Sequence, residues 1–273
     1  MLLRCLLIAV STFGAVVPLS AQLRPLEPAA WVLLEPGHSA EAMLGAALLD
    51  GQRASLAGTE GRLTEAGNFA LRLRFGRVVL EGAGTLYRRL DYEEVFRLPA
   101  TDTHPPDGNG RSDTGDYRVS TTIRLNSLES ATIALLRFGT RLPTTNNRVG
   151  LERDQTDFFA LLGLGHTFPR LRLGAEAGVG INGTRDPQYE QSDVAVYALA
   201  AEVGQGVIRP TASFIGHFDG LKNGNARGSE DLKELHVGLK ARTGGWWAAL
   251  DGIKGFETFS PDYGVALTIG WMR

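Results

Sequence analysis

Ten basic residues fall opposite an apolar face along this chain: Arg72, Arg74, Arg118, Arg124, Arg137, Arg141, Arg172, Arg209, Lys240 and Arg242. Four acids, Glu81, Glu176, Glu202 and Asp251, share their side. A guanidinium grips carboxylate or phosphate through two parallel hydrogen bonds, and a ring of cations around a bore biases it toward anions. The other chemistry open to these arginines is to pair with the acids and fill the space between them. A second constellation is His217 with Asn223, Asn225 and Ser229 in the stretch after it, residue types that nucleophilic hydrolysis uses. Asp219, two residues after the histidine, offers it no hydroxyl to activate.

These residues are positioned by segments of period two, which means strands with unlike faces. Leu171, Leu173, Ala175, Ala177, Val179 and Ile181 alternate with Arg172, Gly174, Glu176, Gly178 and Gly180. Tyr263, Val265, Leu267, Ile269 and Trp271 do the same at the end of the chain. Twelve such segments are expected, near 40–49, 68–75, 77–90, 117–125, 131–141, 157–168, 171–182, 193–203, 208–219, 233–242, 246–254 and 262–271. Most approach the ~9–11 residues of a tilted membrane-crossing strand. Long connections (50–67, 91–116, 142–156, 183–192, 220–232, 255–261) alternate with tight ones at 76, 126–130, 169–170, 204–207 and 243–245. Long loops on one rim and short turns on the other are the plan of an up-and-down antiparallel transmembrane β-barrel. Hydrocarbon offers backbone groups no partner, so such a sheet has to close on itself. A secreted β-sandwich would also alternate, but it leaves the charged faces and the loop pattern unexplained. Trp246, Trp247, Tyr117, Phe168, Tyr263 and Trp271 lie near strand ends and suit an interfacial girdle.

Composition bounds the alternatives. The 273 residues carry 28 Lys+Arg against 30 Asp+Glu, a formal charge of -2, with no basic tail or face for a nucleic-acid partner. The one cysteine, Cys5, excludes a disulfide framework or a Cys-rich metal site. Residues 1–21 read as a secretory signal peptide: Arg4, an apolar stretch, Pro18 as breaker, and small residues up to Ala21. Residues 22–39 hold Pro25, Pro28 and Pro36 and read as a periplasmic lead-in, or a small element tucked into the lower mouth of a barrel formed by 40–273. Gly178, Gly180 and Gly183 fit a dinucleotide spacing but lack the helix that it requires. Residues 107–116 are acidic without the glycine and terminal glutamate of a calcium loop, and read as a flexible tip.

Taken together, the leader, the even strand count and the terminal strand resemble a bacterial outer-membrane β-barrel protein. The ending "DYGVALTIGWMR" resembles the assembly signal of that class, departing from it because Met272 and Arg273 follow Trp271. The resemblance implies an outer-membrane location, lipid as a partner, and recognition of the last strand by the barrel-assembly machinery. A narrower one, in "RFGTRLPTTNNRVGLERDQTDFF", is to barrels grouped with outer-membrane transporters of aromatic-degradation pathways. One class of twelve-strand outer-membrane barrels is the phospholipases, which the His217 stretch resembles loosely; the resemblance implies a nucleophilic serine two residues after the histidine, and Asp219 in that place argues against an enzyme. The expectation is thus a cofactor-free channel passing small anionic or amphipathic solutes through an arginine-rich lumen. A structural or surface-interaction barrel with a filled lumen is the alternative, and a lipid hydrolase the third.

Overall fold

The computed structural model describes residues 24–28, 38–100, 102–104, 109–146, 148–153, 155–185, 191–219 and 227–273. Residues 1–21, read above as a leader, and Trp31, Pro36, Asp107, Gly108, Asn223 and Asn225 lie outside the described residues. Alternation becomes strand throughout: β1 Ala40–Ala54, β2 Thr59–Phe75, β3 Val78–Val95, β4 Gly110–Asp113, β5 Tyr117–Arg124, β6 Thr132–Leu142, β7 Asp157–Thr167, β8 Leu171–Gly183, β9 Gln191–Val203, β10 Ile208–Asp219, β11 Leu232–Thr243, β12 Trp246–Gly255 and β13 Tyr263–Met272. Among the described residues there is no helix. Each strand pairs antiparallel with its neighbours, and β1 pairs with β13 from Glu41↔Met272 to Asp50↔Tyr263, which closes the sheet into a ring. β4 and β5 meet β3 in one continuous register, Arg88↔Asp113 and Ala83↔Arg118, so they form a single stave broken at 114–116. The barrel therefore has twelve staves.

The two faces separate by solvent. Leu44, Leu71, Val179, Leu199, Val237, Leu267 and Ile269 are exposed on the outside, the surface that hydrocarbon covers. Opposite them, Ser120, Thr122, Arg137, Glu176 and Glu202 are buried in the lumen. Four of the girdle aromatics, Trp246, Phe168, Tyr263 and Trp271, are exposed on the outside. Trp247 is not among them: alternation turns it inward, where its Nε1 donates to Glu41 Oε1 at 3.1 Å.

The connection expected at 50–67 is mostly strand. β1 continues to Ala54 and β2 begins at Thr59, leaving a turn at 55–58, and β3 runs on to Val95. Here the outward residues are charged rather than apolar, with Arg62 Nε donating to Asp50 Oδ1 at 2.6 Å and Arg89 Nε to Asp91 Oδ1 at 2.7 Å. Exposed ion pairs belong to water, so this three-strand wing rises above the hydrocarbon, and the apolar-out signal of a spanning strand is lost. Its inner face is apolar instead. Leu49, Ala54, Ala57, Leu63, Leu90, Leu151 and Ile253 form a buried cluster at the long-loop end. Burying each leucine contributes about 1.5–3 kcal/mol. Loops fold onto the wing tip: the Ala100 N–H donates to the Leu56 carbonyl at 2.8 Å, and the Gly228 N–H to Ser55 Oγ at 2.9 Å.

Candidate functional site in the barrel lumen

Alternation points the charged faces of neighbouring strands at one another across a narrow ring, and the result is a belt of ion-pair clusters. Glu81 of β3 is the hub of one of them. It accepts from Arg72 Nε at 2.6 Å, Arg118 Nη2 at 3.2 Å and Arg137 Nη2 at 3.3 Å. Arg72 also reaches Glu41 at 2.8 Å, and Arg137, 1% exposed, pairs with Glu176 at 3.5 Å while lying over the Phe159 ring at 5.5 Å. Arg141 joins Asp157 at 3.2 Å and Asp116 at 3.4 Å; Arg153, fully buried, holds the same Asp157. Arg88 pairs with Glu65 at 2.5 Å and with Glu152. Glu202 collects Arg172 at 3.2 Å and Arg209 at 2.9 Å.

The remaining cations sit near the short-turn rim. Arg124 caps its own turn by donating to the Ser130 carbonyl at 2.7 Å. Arg242 contacts His38 at 2.7 Å, Lys240 lies over the Trp247 ring at 4.6 Å, and Arg74 lines the cavity described below. The counter-charges that the sequence reading left out are Glu41, Glu65, Asp116, Glu152, Asp157 and Glu234. Glu65 fell in the stretch read as loop and Glu152 in a true loop. Glu234 could have been found, because it precedes His236 by two residues on the same face.

A further feature has no strand of its own. Residues 24–28 lie inside the ring, attached by side chains rather than by sheet pairing. Arg24 donates to both oxygens of Glu234, at 2.9 and 3.2 Å, and stands 3.4 Å from Glu65. His236 Nε2 meets the same Glu234 at 2.7 Å. Burial works to lower the Arg24 pKa, but Glu234 and then Glu65 outweigh it and raise it above the usual arginine value. Leu26 packs against Phe159, Leu161, Val194 and Val196, and the Glu27 carbonyl accepts from Arg137 Nη1 at 2.7 Å. On one side of this segment is a cavity of about 190 Å³ reaching the rim residues His38, Ser39 and Met272; a smaller one of about 110 Å³ lies beside Glu65, Arg88 and Arg118.

The loops above are tied by charge as well. Arg185 Nε donates to Asp102 Oδ2 at 3.1 Å; burial works to raise the Asp102 pKa, and Arg185 more than offsets it, so the carboxyl titrates below its usual range. His217 is buried with Nε2 3.0 Å from the Glu230 carbonyl, while Ser229 Oγ accepts from Arg153 Nη1 at 2.6 Å. Among the described residues no hydrogen bond joins that histidine to a serine.

No family model matches the sequence, and no curated protein matches it. Solved structures do match the fold. An outer-membrane channel from Pseudomonas putida F1 is 12% identical, with 88% of this chain and 97% of that one covered and a TM-score of 0.62. LpxR from Salmonella typhimurium is 11% identical over 86% of this chain and 100% of its own, at a TM-score of 0.47. OmpT of Vibrio cholerae is 8% identical over 92% and 100%, at 0.42. The fold is that of a bacterial outer-membrane β-barrel, and the apolar outer belt places the chain in such a membrane.

Proposed function

We propose that the barrel is a narrow outer-membrane channel for small solutes, held closed at its waist by residues 24–28. The observation that supports this is the placement of that segment. It obstructs the lumen through ion pairs and one apolar side chain, without belonging to the sheet, and it separates two cavities. A part fixed by side chains can leave while the wall stays intact. No cofactor enters the proposal, since diffusion down a gradient drives the flux. The arginine-rich lumen does not by itself carry an anion preference, because the belt arginines already hold carboxylates.

The competing reading is a structural barrel with a filled lumen, and the density of the Glu81 and Asp157 clusters favours it. Planar-bilayer conductance separates the two. Removal of residues 22–37 is expected to convert a silent or low-conductance barrel into one with resolved open steps. A shortened chain that keeps its heat-modifiable gel mobility and still passes no ions sinks the channel reading and leaves the filled barrel.

A further inference from the structure

The outer wall of the barrel is hollowed on one side. Outward positions of β8, β9 and β10 carry three small side chains, Ala175, Ala201 and Ala212, and Leu164, Leu173, Leu199 and Phe214 stand around them. The result is a groove of about 610 Å³ with an almost wholly apolar lining. It begins at Thr132 and His166, beside the short-turn end of β7, and crosses the wall to Leu235 of β11. Four strand spacings of about 4.8 Å give it a length of about 19 Å. Half of a hydrocarbon core of about 30 Å is about 15 Å, so one acyl chain of one leaflet reaches most of the way along it. The short-turn end differs in chemistry. His166 Nδ1 is 2.7 Å from Thr132 Oγ1, and its ring lies 4.3 Å from that of Phe168. Arg170, in the turn that joins β7 to β8, is exposed and meets no carboxylate among the described residues. Arg172 and Arg209 at the same rim turn into the lumen onto Glu202.

Lipid tails are as apolar as leucine, so an apolar lining alone selects nothing in a membrane. Shape and charge do. An unfilled hollow forfeits dispersion contacts, and a chain lying in it touches protein on several sides. At the basic end a phosphate oxygen takes charge-assisted hydrogen bonds from the Arg170 guanidinium. A Thr132 hydroxyl that donates to His166 Nδ1 leaves the Nε2–H as a second donor. We propose that this groove binds one phospholipid of the periplasmic leaflet, with an acyl chain over Ala175, Ala201 and Ala212 and the phosphate at Arg170 and His166. The site uses no residue of the lumen, so it stands whether or not the barrel conducts.

Native mass spectrometry of the delipidated full chain in detergent, titrated with dipalmitoylphosphatidylglycerol, tests this. Saturation at one lipid per chain is expected. Dipalmitoylglycerol, which lacks the phosphate, and dihexanoylphosphatidylglycerol, which lacks the long chains, are each expected to bind at least tenfold more weakly. Arg170→Gln is expected to weaken the full lipid by about tenfold, the scale of one charge-assisted hydrogen bond. Arg170→Lys is expected to keep most of the binding. Ala201→Phe fills the groove floor and is expected to weaken the lipid by at least tenfold. Ala160→Phe, outward on β7 but off the groove, is expected to leave it unchanged. Heat-modifiable mobility shows that each variant is folded. Successive lipids of equal affinity with no break at one would mean annular lipid only and overturn the proposal. So would equal binding of dipalmitoylglycerol, a lipid-free mass of two chains, or folded Ala201→Phe and Arg170→Gln proteins that bind as before.

Discussion

Cutting back Arg137 to alanine leaves Glu81 and Glu176 short of a shared cation and frees the Glu27 carbonyl that anchors the inner segment. Removing one partner of a buried pair costs about 3–5 kcal/mol, and Arg137→Ala should lose that much in urea unfolding from lipid vesicles. Arg137→Lys should recover only part of it, because an ammonium lacks the planar fork that reaches three acceptors at once. Arg24→Ala should cost less, since His236 still contacts Glu234 and Arg88 still holds Glu65. The inward placement of Arg72, Arg118 or Arg137 follows from counting by twos. The pairing of Arg88 does not, because Glu152 arrives from a distant loop and nothing local connects the two.

At the scale of the strand, the outer face sets the energetic rule. Leu162, in the middle of β7, is 64% exposed to what would be lipid, and Leu162→Arg should destabilise by about 2–4 kcal/mol. The β2–β3 turn gives a sharper test of backbone geometry. Gly76 has φ +60° and open space around a would-be Cβ, so Gly76→Val should cost about 1–2 kcal/mol from backbone strain alone, and Gly76→Asn clearly less. Both are read from vesicle unfolding midpoints. Strands immersed in the membrane were legible because lipid demands an apolar residue at every second position. The wing was not: above the bilayer Glu60, Arg62 and Thr64 face outward while Leu63 and Leu90 face in, which reverses the pattern that marks a spanning strand.

For the whole molecule, closure of β1 on β13 owes nothing to residues 24–28, so a chain without 22–37 should still form a heat-modifiable barrel. Loss of that gel shift would show that the inner segment is part of the fold rather than an occupant of it. The position of that segment also has a consequence in time. β1 and β13 are the outermost strands of the chain, and their pairing is the seam that turns an open sheet into a ring. Residues 24–28 precede β1 yet finish inside that ring. They must be gathered in before the seam seals, or be threaded afterwards through one end. By either route Glu234 stays without its guanidinium until the lead is in place, so docking of the segment is a step of its own, distinct from closure of the wall.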